Sequence, residues 1–246
     1  MSIFVKTSPG NFRTLLWITF FGIAMGYFES AAVIYLRNIL YQPATELFPL
    51  VPISTHLAIT ELIREAATLV MLIGVGIIAG RTNSERFAWF IYTFAVWDIF
   101  YYIFLKLLIG WPASLLTWDI LFLLPVTWTG PVISPVIVSF SMIFLALTIV
   151  YFTNFNINTK ISLRVWIFLS IGAFIVFLAF IWDYSRYILH FFTLRELWSV
   201  PSSKALFDLS QQYVPVSFNW GLFSIGMIII LFSTLLFIKE QNNINK

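Results

Sequence analysis

Six apolar stretches, at roughly 14–38, 54–79, 87–109, 132–153, 164–182 and 219–238, approach or exceed the ~20 residues that carry an α-helix across a bilayer. Hydrocarbon offers no hydrogen bonds to the backbone, so a chain with this pattern must form helices or a closed β-barrel. The runs are continuous and do not alternate, which argues against the barrel. The expected fold class is all-α: a polytopic membrane helix bundle over 1–246 that forms a single integral membrane domain. Only 10% of the residues are charged, against about 25% in soluble domains, which agrees.

Two segments between the spans are expected to add short helices. Segment 113–124 is apolar but too short to cross. Ser114 is a candidate N-cap and Pro125 a stop, so a half-helix is expected there, re-entrant or lying at the interface. In 183–198, Tyr187, Leu194 and Trp198 fall at helical spacings with Arg186, Arg195 and Glu196 between them. That pattern predicts an amphipathic helix on the outer surface, ended by Pro201, with 203–212 as a further short turn of helix before Pro215.

Basic residues fall in alternate connecting segments: Lys6 and Arg13, Arg81 and Arg86, Lys160 and Arg164, Lys239 and Lys246. Their bias predicts a multi-pass protein of the cell membrane (the inner membrane) with both termini cytoplasmic. The first 13 residues are polar and basic, and no small-residue cleavage site follows before Glu29, so no removable signal peptide is expected. Cysteine is absent, which excludes disulfides, thiolate catalysis and cysteine-ligated clusters. The dispersed lysines and arginines form no patch, and no nucleic-acid partner is expected.

Against this apolar background, four of the eleven acidic residues, Glu29, Glu61, Glu65 and Asp98, lie inside spans, and Asp119 lies in the short segment. A charge near the bilayer centre costs a few kcal/mol on insertion scales, so these positions are functional candidates. Glu61, Arg64 and Glu65 are three and four residues apart and share a helix face, which Ser54 and Thr68 extend. Asp98 shares a face with Tyr101 and Tyr102, with Lys106 two turns outward. Gly22 and Gly26 allow a close helix approach, and Glu29 continues their face. With the termini inside, these groups, Arg37 and Asp119 all fall between the midplane and the outer surface. Trp97, Trp111, Trp118 and Trp128 supply aromatic walls.

The expected site is therefore an outward-facing pocket for a lipid, isoprenoid or other hydrophobic small molecule with a polar end. Glu61, Glu65, Asp98 and Asp119 are its candidate acid–base or binding carboxylates. Arg64 would position them or hold an anionic head; Glu29, Arg37 and Lys106 complete the charged set, and Tyr101 and Tyr102 are hydrogen-bond donors. Three other readings stay open: ion pairs that only lock helices together, a proton- or cation-coupled transporter, and a non-catalytic subunit among partner membrane subunits. The cofactor stays unknown at this point: two histidines on the outer side leave a haem or mixed carboxylate site open, and the carboxylates a hard cation such as Ca²⁺ or Mg²⁺. His56 and His190 are the only histidines, without metal-ligand spacing. Six spans with cytoplasmic termini resemble the export permeases of ABC transporters in architecture alone; loop 80–86 is too short for a helix that docks an ATPase.

Overall fold

The computed structural model describes residues 9–41, 43, 45–51, 54–123, 126–193 and 212–244. Six helices form the body: α1 (Pro9–Leu40), α2 (Thr55–Ala79), α3 (Asn83–Ile109), α4 (Ile133–Phe155), α5 (Leu163–Phe191) and α6 (Trp220–Ile244). All six are long and apolar enough to cross a membrane, and the chain is a multi-pass membrane protein. Ser54, Thr82 and Ser162 cap α2, α3 and α5, each accepting a backbone N–H from the first helical turn. Outward faces carry large exposed apolar side chains, such as Ile63, Val70 and Ile78 on α2, which hydrocarbon can cover. Among the described residues the six crossings place the start of α1 and the end of α6 at one end of the bundle, the terminal end.

α3 packs against α1, α2 and α4, while α5 pairs with α6, which also touches α4. The α1–α3 contact is close because Gly22 and Gly26 face it. A Cβ on Gly26 would lie 2.9 Å from Phe100 Cβ and 3.0 Å from the Trp97 carbonyl oxygen, so no larger residue fits. Gly172 and Gly226 serve the α5–α6 contact in the same way. The terminal half of the bundle is filled by an apolar cluster that includes Ile18, Trp89, Val96, Ile149, Val165 and Phe237.

The expected half-helix at 113–124 is not a helix over its described residues, 113–123. Residues 113–116 make a turn, and an antiparallel β-hairpin follows: β1 (Trp118–Phe122) paired with β2 (Trp128–Pro131). The turn has a local cause. Thr117 Oγ1 accepts the Ser114 N–H at 3.0 Å and Ser114 Oγ accepts the Leu116 N–H at 3.2 Å, so both hydroxyls compete with helical bonding. Aromatic and β-branched residues then favour extended chain, with Asp119 opposite Gly130 and Ile120 opposite Thr129. The hairpin marks the other end of the bundle. It lies on α5 and α4, where Trp128 stacks on Phe180 with ring centroids 5.9 Å apart.

The expected amphipathic helix at 183–198 is also corrected in its described part. Asp183 to Phe191 continue α5, because no proline or glycine interrupts them and Tyr184 and Tyr187 pack edge-on and tilted around Tyr213. Leu194, Arg195, Glu196, Trp198 and Pro201 lie outside the described residues, as does most of 203–212. Asp183 holds the returning chain by accepting the Tyr213 hydroxyl at 2.9 Å and the Val216 and Ser217 N–H groups. Burial raises the Tyr213 hydroxyl above its ordinary value, so it stays a donor.

Candidate functional site

The stripe Gly22, Gly26, Ser30 runs up the α3-facing side of α1 and leads to Arg37. Ser30 Oγ donates to Gly26 O at 2.7 Å and to Tyr101 O at 3.0 Å, fastening the two helices beside the charged residues. Glu29, one residue earlier, meets Arg64 of α2 in an ion pair. Arg64 Nε also donates to Glu61 Oε2 at 2.7 Å. One guanidinium thus joins α1 to α2 and neutralises a carboxylate from each, as the spacing of Glu61 and Arg64 led us to expect for one of them.

Arg37 is 3% exposed and does different work. Its Nη2 donates to Asp119 Oδ1 at 3.2 Å, and its guanidinium carbon lies 3.9 Å from the Trp111 ring centroid. Its Nη1, also buried, has no hydrogen-bond partner. Tyr102 donates its hydroxyl to the other Asp119 oxygen at 3.1 Å. Asp119, on β1 and 1% exposed, is therefore the pin that holds the hairpin to α1 and α3. Burial raises its carboxyl to about 6, opposed by Arg37 and by the Tyr102 hydrogen bond.

Glu65 holds the same hairpin at the far end of β1. Both of its oxygens accept the Leu123 N–H, at 3.1 and 3.0 Å. A two-stranded sheet leaves edge N–H groups that hydrocarbon cannot satisfy, and this carboxylate satisfies one of them. Asp98 stands apart. It accepts one hydrogen bond, from Ser139 Oγ of α4 at 2.8 Å, and keeps part of its surface accessible. Lys106 is not brought into the cluster: it is exposed at the end of α3 and donates to the Gly110 and Pro112 carbonyls at 3.0 and 2.8 Å.

Three cavities surround these groups and share walls. A chamber of about 240 Å³ at the hairpin end is lined by Arg37, Glu61, Arg64, Glu65, Tyr101 and Asp119 with apolar residues of α1 and of 47–51. A narrow chamber of about 90 Å³ follows, lined by Glu29, Arg64, Glu65, Trp97, Asp98, Tyr101 and Tyr102. The third, about 360 Å³, is almost wholly apolar and lies between α3, α4 and α5 beneath Leu121, Phe122 and Trp128 of the hairpin. Arg64, Glu65, Tyr101 and Ile120 border both the first and second chambers, while Phe94, Asp98, Leu121 and Phe122 border both the second and third. Asp98 is thus the polar group at the doorway between charged and apolar space. At the terminal end, Phe87 and Trp166 close α3 against α5 with ring centroids 4.7 Å apart.

Sequence reasoning missed Ser139, the Leu123 N–H and the apolar chamber. Ser139 carried a faint signal as a polar residue in α4, whereas a backbone donor on a hairpin edge carries none. Among the described residues no three His, Cys, Asp or Glu side chains converge as a metal-ligand set. No protein-family model, curated protein or solved structure matches this chain.

Proposed function

We propose that this membrane protein binds or processes an amphiphile, a lipid or other hydrophobic small molecule with a polar end, in the connected chambers beneath the hairpin. One observation carries this reading: the charged chambers and the apolar chamber meet at Asp98, the carboxylate that lines both the second and the third. The tail occupies the apolar chamber, and the head lies among Glu29, Glu61, Arg64, Asp98 and Tyr101. Asp98 is the group for head-group binding or proton transfer, because its one hydrogen bond leaves capacity for a ligand. Glu65 and Asp119 hold the roof, and their role is positioning.

The basic residues at the terminal end, Arg81, Arg86, Lys160, Arg164 and Lys239, support a cytoplasmic location for that end in a cell membrane. The chambers then face outward. The apolar cluster filling the terminal half favours a one-sided pocket over a through-going transport path.

The test is retention of a bound amphiphile. Val138 lines the apolar chamber, and Val138→Phe fills it without touching the charged groups. Native mass spectrometry of protein extracted in mild detergent should show an amphiphile on the wild type and none on V138F. An empty wild type, or equal occupancy of a normally folded variant, overturns the reading.

A further inference from the structure

We infer that the polar chambers take a neutral, multiply hydroxylated head group, glycosyl or glycerol in type, in preference to a phosphate or an amine. The inference rests on the amphiphile pocket above and adds the chemistry of its head. The cations here are already committed. Arg37 is ion-paired with Asp119, and Arg64 with both Glu29 and Glu61. Carboxyl groups outnumber guanidiniums five to two: Glu29, Glu61, Glu65, Asp98 and Asp119 against Arg37 and Arg64. A phosphate would enter an acid-rich, low-dielectric space and find no free counter-charge, a costly arrangement.

An ammonium head suits the excess of carboxyl groups and Asp98, but it leaves a different requirement unmet. Arg37 Nη1 is buried, belongs to a side chain only 4% exposed, and has no acceptor. Trp97, 8% exposed, lines the narrow chamber, and its buried indole N–H is also without an acceptor. Buried donors left unmade are expensive, and an ammonium brings only more donors. Asp98, at the doorway, accepts one hydrogen bond and has lone pairs to spare. The unfilled requirements are thus acceptors for two N–H groups and donors for a carboxyl. Hydroxyl groups are the common head-group chemistry that does both. The aromatic rings of Trp97, Tyr101 and Tyr102 along the same walls suit the apolar faces of a sugar or glycerol.

The experiment uses full-length protein held in an amine-oxide detergent, so that no sugar is present beforehand. Decyl glucoside, decyl phosphate and decylammonium are added separately at equal concentration, with free glucose and decanol as two further probes, and bound species are counted by native mass spectrometry. We expect decyl glucoside to be retained about ten-fold or more over the two charged amphiphiles. Trp97→Phe, which removes one donor and no charge, should lower that retention several-fold while decanol binding persists. Preference for the phosphate or the ammonium compound overturns this inference and leaves the amphiphile pocket standing. Retention of none of the three amphiphiles, with decanol also absent, overturns the pocket itself. Free glucose binding as well as decyl glucoside upholds the hydroxylated ligand, makes its source a free sugar, and removes the role assigned to the apolar chamber.

Discussion

Replacing Arg37 by Met removes the counter-charge of a carboxylate that has nowhere to go. The Arg37 and Asp119 side chains are 4% and 2% exposed, so the pair is buried. Breaking a buried pair from one side costs about 3–5 kcal/mol, mostly the penalty of the charge left behind. Loss of the contact with the Trp111 ring adds to this, and the flexible methionine recovers part of the packing. Asp119 has one escape, which is to take a proton. Its carboxyl is already raised to about 6 by burial, and Arg37 is the main influence holding it down. Without the guanidinium it rises further, so at pH 5 it is neutral and still bonded to Tyr102. The destabilisation by R37M should therefore be about 3–5 kcal/mol at pH 8 and clearly smaller at pH 5. Adding Asp119→Asn removes the stranded charge, so R37M/D119N should be more stable than the sum of the single variants predicts by about 2 kcal/mol. Both comparisons can be read from unfolding by sodium dodecyl sulfate in mixed micelles, followed by tryptophan fluorescence. Additivity within about 0.5 kcal/mol, or an equal penalty at the two pH values, would refute the assignment of this pair as the pin of the hairpin.

Two further predictions use the same assay. Asp119 has a folded-state value raised from 3.8 to about 6, so its contribution to stability is fully present below about 4 and is lost as pH rises through 6. The wild type should lose about 1 kcal/mol relative to D119N between pH 5 and pH 7, and a constant difference would contradict this. Gly26→Ala should cost about 1–3 kcal/mol, since its Cβ would press on Phe100 and on the α3 backbone. Gly74→Ala, with nothing within 4 Å of the new Cβ, should be neutral or stabilise by up to about 1 kcal/mol; effects of the same sign and size at both sites would sink the close-approach argument.

The six helices were legible in the sequence because a span is a local property: about twenty apolar residues in lipid have little choice but to pair their own backbone. Structure and expectation differ there by only a few residues at most ends, and by nine at the end of α5, where no proline or glycine stops the helix after 182. The joining of Glu61 to Arg64 and the close packing of Gly22 and Gly26 also followed from helical periodicity.

What the sequence alone could not decide depended on partners distant along the chain. Residues 118–122 are extended because 128–131 pair with them and α4 and α5 support the pair. Taken alone, the short apolar segment reads equally well as a half-helix. Glu65 caps a strand edge 58 residues away, and Asp98 finds Ser139 41 residues away, whereas Lys106 turns back to carbonyls four and six residues on. Composition and periodicity led us to expect the carboxylates together in one half of the bundle. Only tertiary packing decided which of them hold the roof and which one borders the apolar chamber as well, because that depends on which elements and which hydrogen-bond donors the fold brings together.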